Sequence, residues 1–385
     1  MKHFATFAVA IASFLACTGE SFAKSAIIKV AILENLKFEK LSTDKYANDY
    51  MDGLLTASDV AKEDGYMVEI KTFFYDKEPL AILKKVPEVK AWSPDIVIGP
   101  RSSSLFLMLK DQFNDVLVLS PFATATEVSA MPDNFYSMTL PNEYFTQAVV
   151  NIVRDRFPKA AVSPIGEVDC KNCTDFIAAF ASAAAGVNLT VRPSTTFLNK
   201  NAESAAPEEL LTHYKEGDVI LLPNTSYTSG TLVGRISDHL KDNSITFIGG
   251  DGWGDWSSSY VGKVKSAFAY SAYRATPWSL DATDARAVSF KEQFKKYRKV
   301  EPTGAVSLLS YSTLSAPIKA FASHRPASKA TPVREQILEA FKAARRNDPN
   351  YGRPTKYAVY KVTQAGETFD GEVSALIGNR DRSKK

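Results

Sequence analysis

The chain is predicted to be an α/β protein of two lobes, each with a parallel central sheet, joined by several chain crossings that form a hinge. Three observations carry this. Short β-branched runs alternate throughout with segments of helical apolar spacing, the pattern of βαβ units. The alternation breaks at Leu140-Pro-Asn-Glu143, a turn, and then starts again as a second series. Finally, 385 residues, of which 45% are hydrophobic and 23% charged, suffice for two cores.

The clearest unit is Asp95-Ile-Val-Ile-Gly-Pro-Arg-Ser-Ser-Ser104 followed by Leu105–Phe113 and Val116-Leu-Val-Leu-Ser-Pro-Phe-Ala-Thr124. It reads as strand, helix, strand, and such crossovers are almost always right-handed. The strands are then parallel neighbours, and both hydroxyl-rich loops leave the carboxyl edge of one sheet, where open α/β sheets bind ligands. The serines also open a helix, whose free N–H groups favour an anion. Asn134–Thr139 reads as the next strand.

In the second series, helices are expected at Tyr144–Arg156, Thr174–Ala185, Glu208–Tyr214 and Gly230–Lys241. Strands are expected at Ala160–Ile165, Val191–Phe197, Asp218–Pro223 and Ile245–Gly249. Phe268–Tyr273 looks like a return strand, with helices following near Ala285–Arg298 and Gly304–Ser323. Tyr357–Val362 before Thr-Gln-Ala-Gly-Glu is a hairpin signal. The loop Gly249-Gly-Asp-Gly-Trp253 puts a carboxylate, Asp251, on a glycine turn at a strand end. Hydroxyls for a carboxylate and a carboxylate for an ammonium would together read a free α-amino acid.

These segments, in this order from about Ile27 to about Phe321, resemble the periplasmic leucine/isoleucine/valine-binding proteins, the amino-acid receptors of ABC importers. Further matches are Ile28–Ile32 and Tyr46–Gly53 for that family's first strand and helix, and Phe74-Tyr-Asp-Lys-Glu-Pro79 for the end of its second strand. The resemblance implies two Rossmann-like lobes of the type I periplasmic binding protein fold. Expected bounds are 1–23 for a signal peptide, 24–142 with 270–330 for lobe I, and 143–269 with 331–385 for lobe II. It implies a non-catalytic receptor with no cofactor, binding a small molecule, an amino acid above all. The receptor is expected to be monomeric and to dock on ABC transporter permease subunits.

The resemblance assigns the ligand carboxylate to Ser102 and Ser103, backbone contact to Phe122, and a hydroxyl contact to Thr124. Asp251 would hold the ammonium. The alternatives are helix N-capping for the serines, a turn hydrogen bond to Thr126 or nearby backbone for Thr124, and an exposed turn for Asp251. Arg101 is unusual in this loop; of two readings, reinforcing anion binding or pointing outward as a solvated charge, the second is expected. The family's Tyr-Gly of the second lobe is replaced by Cys173-Thr174, leaving Tyr227 as the substitute aromatic, so branched-chain specificity does not follow.

Met1-Lys2-His3, the apolar stretch Phe4–Cys17 and Ser21-Phe-Ala23 form an export signal, and imply a periplasmic destination. Phe14-Leu-Ala-Cys17 approximates a lipoprotein box, so the membrane enters only if Cys17 is lipidated. Beyond the signal, Cys170 and Cys173 are expected to form a disulfide; a metal site would need further ligands, and the histidines are scattered. The net charge of +3 is interspersed, which argues against nucleic acid. No hydrolase elbow, P-loop or His-Glu-x-x-His stretch occurs. A ligand-free interaction or sensor module is the competing reading, favoured if Phe122 plugs the cleft.

Overall fold

The computed structural model describes residues 27–35, 45–76, 78, 80–198, 201, 204–253, 266–324 and 331–374. The signal segment, Cys17, and the side chain of Asp251 lie outside the described residues.

The first lobe is built on β1 (Ile27–Glu34), β2 (Met67–Phe74), β3 (Ile96–Ile98), β4 (Leu117–Ser120) and β5 (Phe135–Ser137), in the order β2-β1-β3-β4-β5 and all parallel. Side chains alternate across the sheet. Ile28, Val30 and Ile32 of β1 join one core, whereas Ala31 and Leu33 join another on the opposite face. The helices α1 (Lys45–Glu63), α2 (Ala81–Trp92) and α3 (Ser103–Met108) follow β1, β2 and β3. The expected helix over 105–113 is therefore shorter and begins two residues earlier.

The second lobe contains α4 (Asn142–Arg156), β6 (Val162–Glu167), α5 (Lys171–Ala185), β7 (Thr195–Phe197), α6 (Pro207–Leu210), β8 (Val219–Leu222), α7 (Ser226–Leu240), β9 (Thr246–Gly249) and β10 (Ser271–Thr276). Its sheet is completed by β11 (Lys356–Thr363) and β12 (Gly366–Ser374), the expected hairpin, in the order β12-β11-β10-β9-β8-β6-β7. The β10–β11 and β11–β12 pairs are antiparallel and the others parallel.

Between β10 and β11 the chain returns to the first lobe as α8 (Ala285–Arg298), α9 (Ala305–Ser323) and α10 (Val333–Asn347). Phe290 of α8, Leu309 of α9, and Ile337 and Phe341 of α10 all enter the β1 core. Two expected bounds are thereby corrected. β10 belongs to the second lobe because it hydrogen-bonds β9, and α10 belongs to the first because its apolar stripe packs there. α9 lies tight against α1: a Cβ on Gly53 would sit 2.1 Å from the Ser307 carbonyl oxygen, so only glycine admits this approach.

Three crossings join the lobes, at 138–141, 277–284 and 348–355. They are tied to one another. Trp278 Nε1 donates to Thr139 Oγ1 at 3.1 Å, Arg286 Nη1 to the Gly352 carbonyl at 3.4 Å, and Arg353 Nε to the Ser137 carbonyl at 2.7 Å. No helix of the described residues is long and apolar enough to cross a membrane.

Candidate functional site

A cleft of about 1370 Å³ lies between the lobes. Each sheet presents its topological switch point to it, the place where successive crossovers run in opposite directions and ligands bind beyond the carboxyl ends. In the first lobe that point lies between β1 and β3, with Glu34 ending one strand and Arg101 following the other. In the second it lies between β6 and β8, whose loops bring Asp169, Asn172, Thr225 and Tyr227 to the cleft.

The two hydroxyl loops do emerge side by side. Ile98 of β3 is paired with Leu119 of β4, and Gly99 N–H donates to the Leu119 carbonyl at 2.8 Å. Gly99 has a φ of +102°, and a Cβ there would lie 2.3 Å from the Leu33 carbonyl oxygen, so the turn into the serine loop needs glycine. Ser103 Oγ accepts from the backbone N–H groups of Thr124 and Ala125 at 3.1 and 3.2 Å, locking the loops together. With its lone pairs so engaged, that hydroxyl retains its proton as a donor for an anion. Ser102 precedes α3 and lines the cleft; its backbone carbonyl accepts from Phe106 N–H, but its side chain makes no capping bond. Because α3 has only six residues, hydroxyls rather than a helix dipole supply anion donors here.

Thr124 is 2% exposed, and its hydroxyl donates at 2.9 Å to Asn172 Oδ1 in the opposite lobe. Asn142 Nδ2 donates to the same oxygen at 2.8 Å. Thr124 thus makes an interlobe bond instead of the alternative turn bond, and keeps lone pairs for a donor such as an ammonium. Asn172 escaped the sequence reading; its signal is its position between the two cysteines. Cys170 and Cys173 are joined in a disulfide, and Cys170 Sγ also accepts from Cys173 N–H at the start of α5. Lys171 adds a 2.6 Å ion pair to Glu127 of the first lobe.

Phe122 lines the cleft without filling it. Its ring packs on the first-lobe core and lies 6.3 Å from the Tyr46 ring centroid. Tyr227 sits in the first turn of α7, 48% exposed and at the cleft wall. Asp251 begins a short turn, Asp251–Trp253, after β9, and Gly252 of that turn reaches the cleft. Trp253 packs in the second-lobe core, with Nε1 donating to the Leu222 carbonyl at 2.9 Å.

Arg101 corrects an expectation. Its side chain turns inward along the cleft wall: Nη2 donates to Asn35 Oδ1 at 3.0 Å, Nε lies 3.4 Å from Glu34 Oε2, and the guanidinium covers the Tyr46 ring at 4.8 Å. The cause is Glu34, 1% exposed, whose charge needs a counter-ion. Among the described residues neither Glu34 oxygen has a hydrogen bond of standard geometry, although the backbone N–H groups of Asn35 and Arg101 face the carboxylate. Burial pushes the Glu34 carboxyl up to about 7, against the pull of Arg101. At the hinge end of the cleft, Arg274 pairs with Glu367 at 2.5 Å and stacks over Tyr360 at 4.2 Å. Tyr360 donates to Asp281 at 2.6 Å. Among the described residues, no group of three His, Cys, Asp or Glu side chains could hold a metal ion.

No protein-family model and no curated protein sequence matches the chain. Solved structures do. The isoleucine complex of the branched-chain amino acid transporter substrate-binding protein LivJ from Streptococcus pneumoniae superimposes with a TM-score of 0.68 at 16% identity, covering 91% of this chain and 99% of that one. The leucine-binding protein LivK from Thermotoga maritima gives 0.69 at 16%, covering 90% and 99%. A solute-binding protein of an R. palustris ABC transporter, in complex with benzoate, gives 0.68 at 13%, covering 92% and 98%. At such identities the likeness is one of architecture: this chain has the type I periplasmic binding protein fold.

Proposed function

We propose that the protein is an extracytoplasmic solute-binding protein of an ABC importer, taking an amino acid or similar small zwitterion between its lobes. The observation that carries this reading is the cleft itself, into which both sheets present their switch points. Ser103 and Ser102 would donate to the ligand carboxylate, and the lone pairs of Thr124 would face its ammonium. Phe122 and Tyr227 would pack against the solute from opposite lobes, and Asp251 would supply the carboxylate for the ammonium. The solved neighbours with this fold, described as binding isoleucine, leucine or benzoate, lend support.

The work done by the ligand would be to shift an open-to-closed equilibrium through contacts that exist only when both lobes touch it. The three-stranded crossing permits such a hinge motion. The closed surface is what importer permease subunits would read. The N-terminal signal would deliver the chain to the periplasm, and a lipid at Cys17 would attach it to the membrane.

Calorimetry with a panel of amino acids tests the proposal. At least one is expected to bind with one-to-one stoichiometry. Asp251→Ala is expected to weaken it about 10- to 100-fold, the loss of a charge-assisted bond of roughly 1.5–3 kcal/mol. Absence of binding by every amino acid would overturn the proposal.

A further inference from the structure

Around Arg101 the cleft is lined by charged and polar groups. Glu34, Asn35, Tyr46 and Tyr75 stand there beside the Lys45–Asp49 pair, whose Nζ–Oδ2 distance is 2.5 Å. Closing the lobes over an aliphatic side chain would strip water from these charges without replacing it, which is costly. An acidic group would meet the guanidinium instead. The Arg101 side chain is 30% exposed, so it can be reached from the cleft, whereas Glu34 lies behind it and cannot.

Three geometric features make this pair unusual. It flanks the β1/β3 switch point, where this strand order places a ligand. Its closest ion-pair contact is long, 3.4 Å. And the Glu34 oxygens, fully buried, make no hydrogen bond of standard geometry among the described residues, although the backbone N–H groups of Asn35 and Arg101 face them. The carboxylate is therefore weakly satisfied by Arg101, its cationic neighbour in contact among the described residues.

We propose that Arg101 reads an acidic group on the solute, and that Glu34 takes up one proton from solvent when that group engages the guanidinium. The ligand class is a dicarboxylic amino acid or a related dicarboxylate, one carboxylate on the Ser102–Ser103 and Thr124 loops and the other on Arg101. The inference rests on the solute-binding reading above and names its substrate class. The physical cause is competition: a second carboxylate beside Arg101 withdraws the counter-charge from Glu34, and the neutral acid becomes the better state for a buried group.

The other groups facing Glu34 do not titrate in its place. Tyr50 faces it from α1 and Tyr75 from just beyond β2, while Tyr46 lies under the Arg101 guanidinium. Burial holds Tyr50 and Tyr75 further above the ordinary phenol range, so both stay neutral. The Glu34 carboxyl, already pushed up to about 7 by burial, starts where a bound anion needs only to push it further. Since the bound state holds the extra proton, affinity rises as pH falls. In the window from about 7 up to the bound-state value, Kd should weaken by up to about tenfold per pH unit.

The test is calorimetry of the wild-type protein with L-glutamate, glutarate and L-leucine at pH 6 and pH 8, in two buffers of different ionisation enthalpy. The expected result is binding of glutamate or glutarate, at least fivefold tighter at pH 6, with net proton uptake at pH 8. Glu34→Gln is expected to remove both the uptake and the pH dependence, and Arg101→Met to weaken the acid ligand at least tenfold. Acid binding without proton uptake would overturn the coupling. Binding of leucine but of neither acid would overturn the inference and leave the solute-binding reading standing. Failure of all three, and of the wider amino-acid panel, would sink both.

Discussion

Two arginine–glutamate pairs line opposite ends of one cleft, and they are built differently. Arg274 and Glu367 make a close pair at 2.5 Å, with a second contact at 3.4 Å and a tyrosine ring beneath the guanidinium. They join β10 to β12 across β11, within the second-lobe sheet. Arg101 and Glu34 come no closer than 3.4 Å, and among the described residues the acid makes no hydrogen bond of standard geometry. The lesson is that burial alone does not assign a role to an ion pair. A well-formed pair is spent on holding the fold, whereas a poorly formed one at a strand-order switch point is available to respond to a ligand.

The largest expected effect follows from breaking the tight pair. Glu367→Ala leaves Arg274 buried and uncompensated, and unfolding by urea is expected to show a loss of about 3–5 kcal/mol. A loss below 1 kcal/mol would erase the contrast between the two pairs.

The weak pair gives a pH signature instead. Burial pushes the Glu34 carboxyl up to about 7 in the folded protein, from an ordinary value of 4.5. Between those pH values the folded state binds more protons than the unfolded chain, so the contribution of this group to stability is fullest below 4.5 and declines as pH rises to 7. Glu34→Gln removes that decline. Relative to wild type, the variant is expected to gain about 3 kcal/mol between pH 4 and pH 8 in unfolding experiments. Parallel stability curves for the two proteins would contradict the account.

Smaller effects concern the interlobe contacts. Asn172→Ala strands the Thr124 hydroxyl and the buried Asn142 amide, at a cost of about 1–3 kcal/mol to thermal or chemical unfolding. Lys171→Ala removes exposed pairs with Glu127 and with Asp175 of its own helix and is expected to cost less than about 1 kcal/mol, falling toward zero at high salt.

Much of the fold was legible because each sheet strand is a short, self-contained apolar run. Asp95–Gly99 and Val116–Ser120 need no distant information to be read as neighbours, and the register Ile98–Leu119 follows from them. α10 escaped although Val333, Ile337, Phe341 and Ala344 carry helical spacing, since the sequence near it matched the family only loosely. Without that helix the third crossing could not be seen, and the lobe bounds shifted.

The site was less legible for a physical reason. Arg101 looked like a surface charge because its partner is 67 positions away at the end of another strand. Asn172 is invisible as a lobe-to-lobe contact until the disulfide, Thr124 and Asn142 are placed around it. Side-chain pairing across lobes depends on packing, which local patterns do not encode.

The central claim is that one small solute touches both lobes at once. A crystal structure of the protein grown with L-glutamate tests it most directly. The account predicts ligand density bridging Ser102, Ser103 and Arg101 on one side to Asn172 and Tyr227 on the other. Density bound to a single lobe, or a cleft holding only water at saturating ligand, would contradict it.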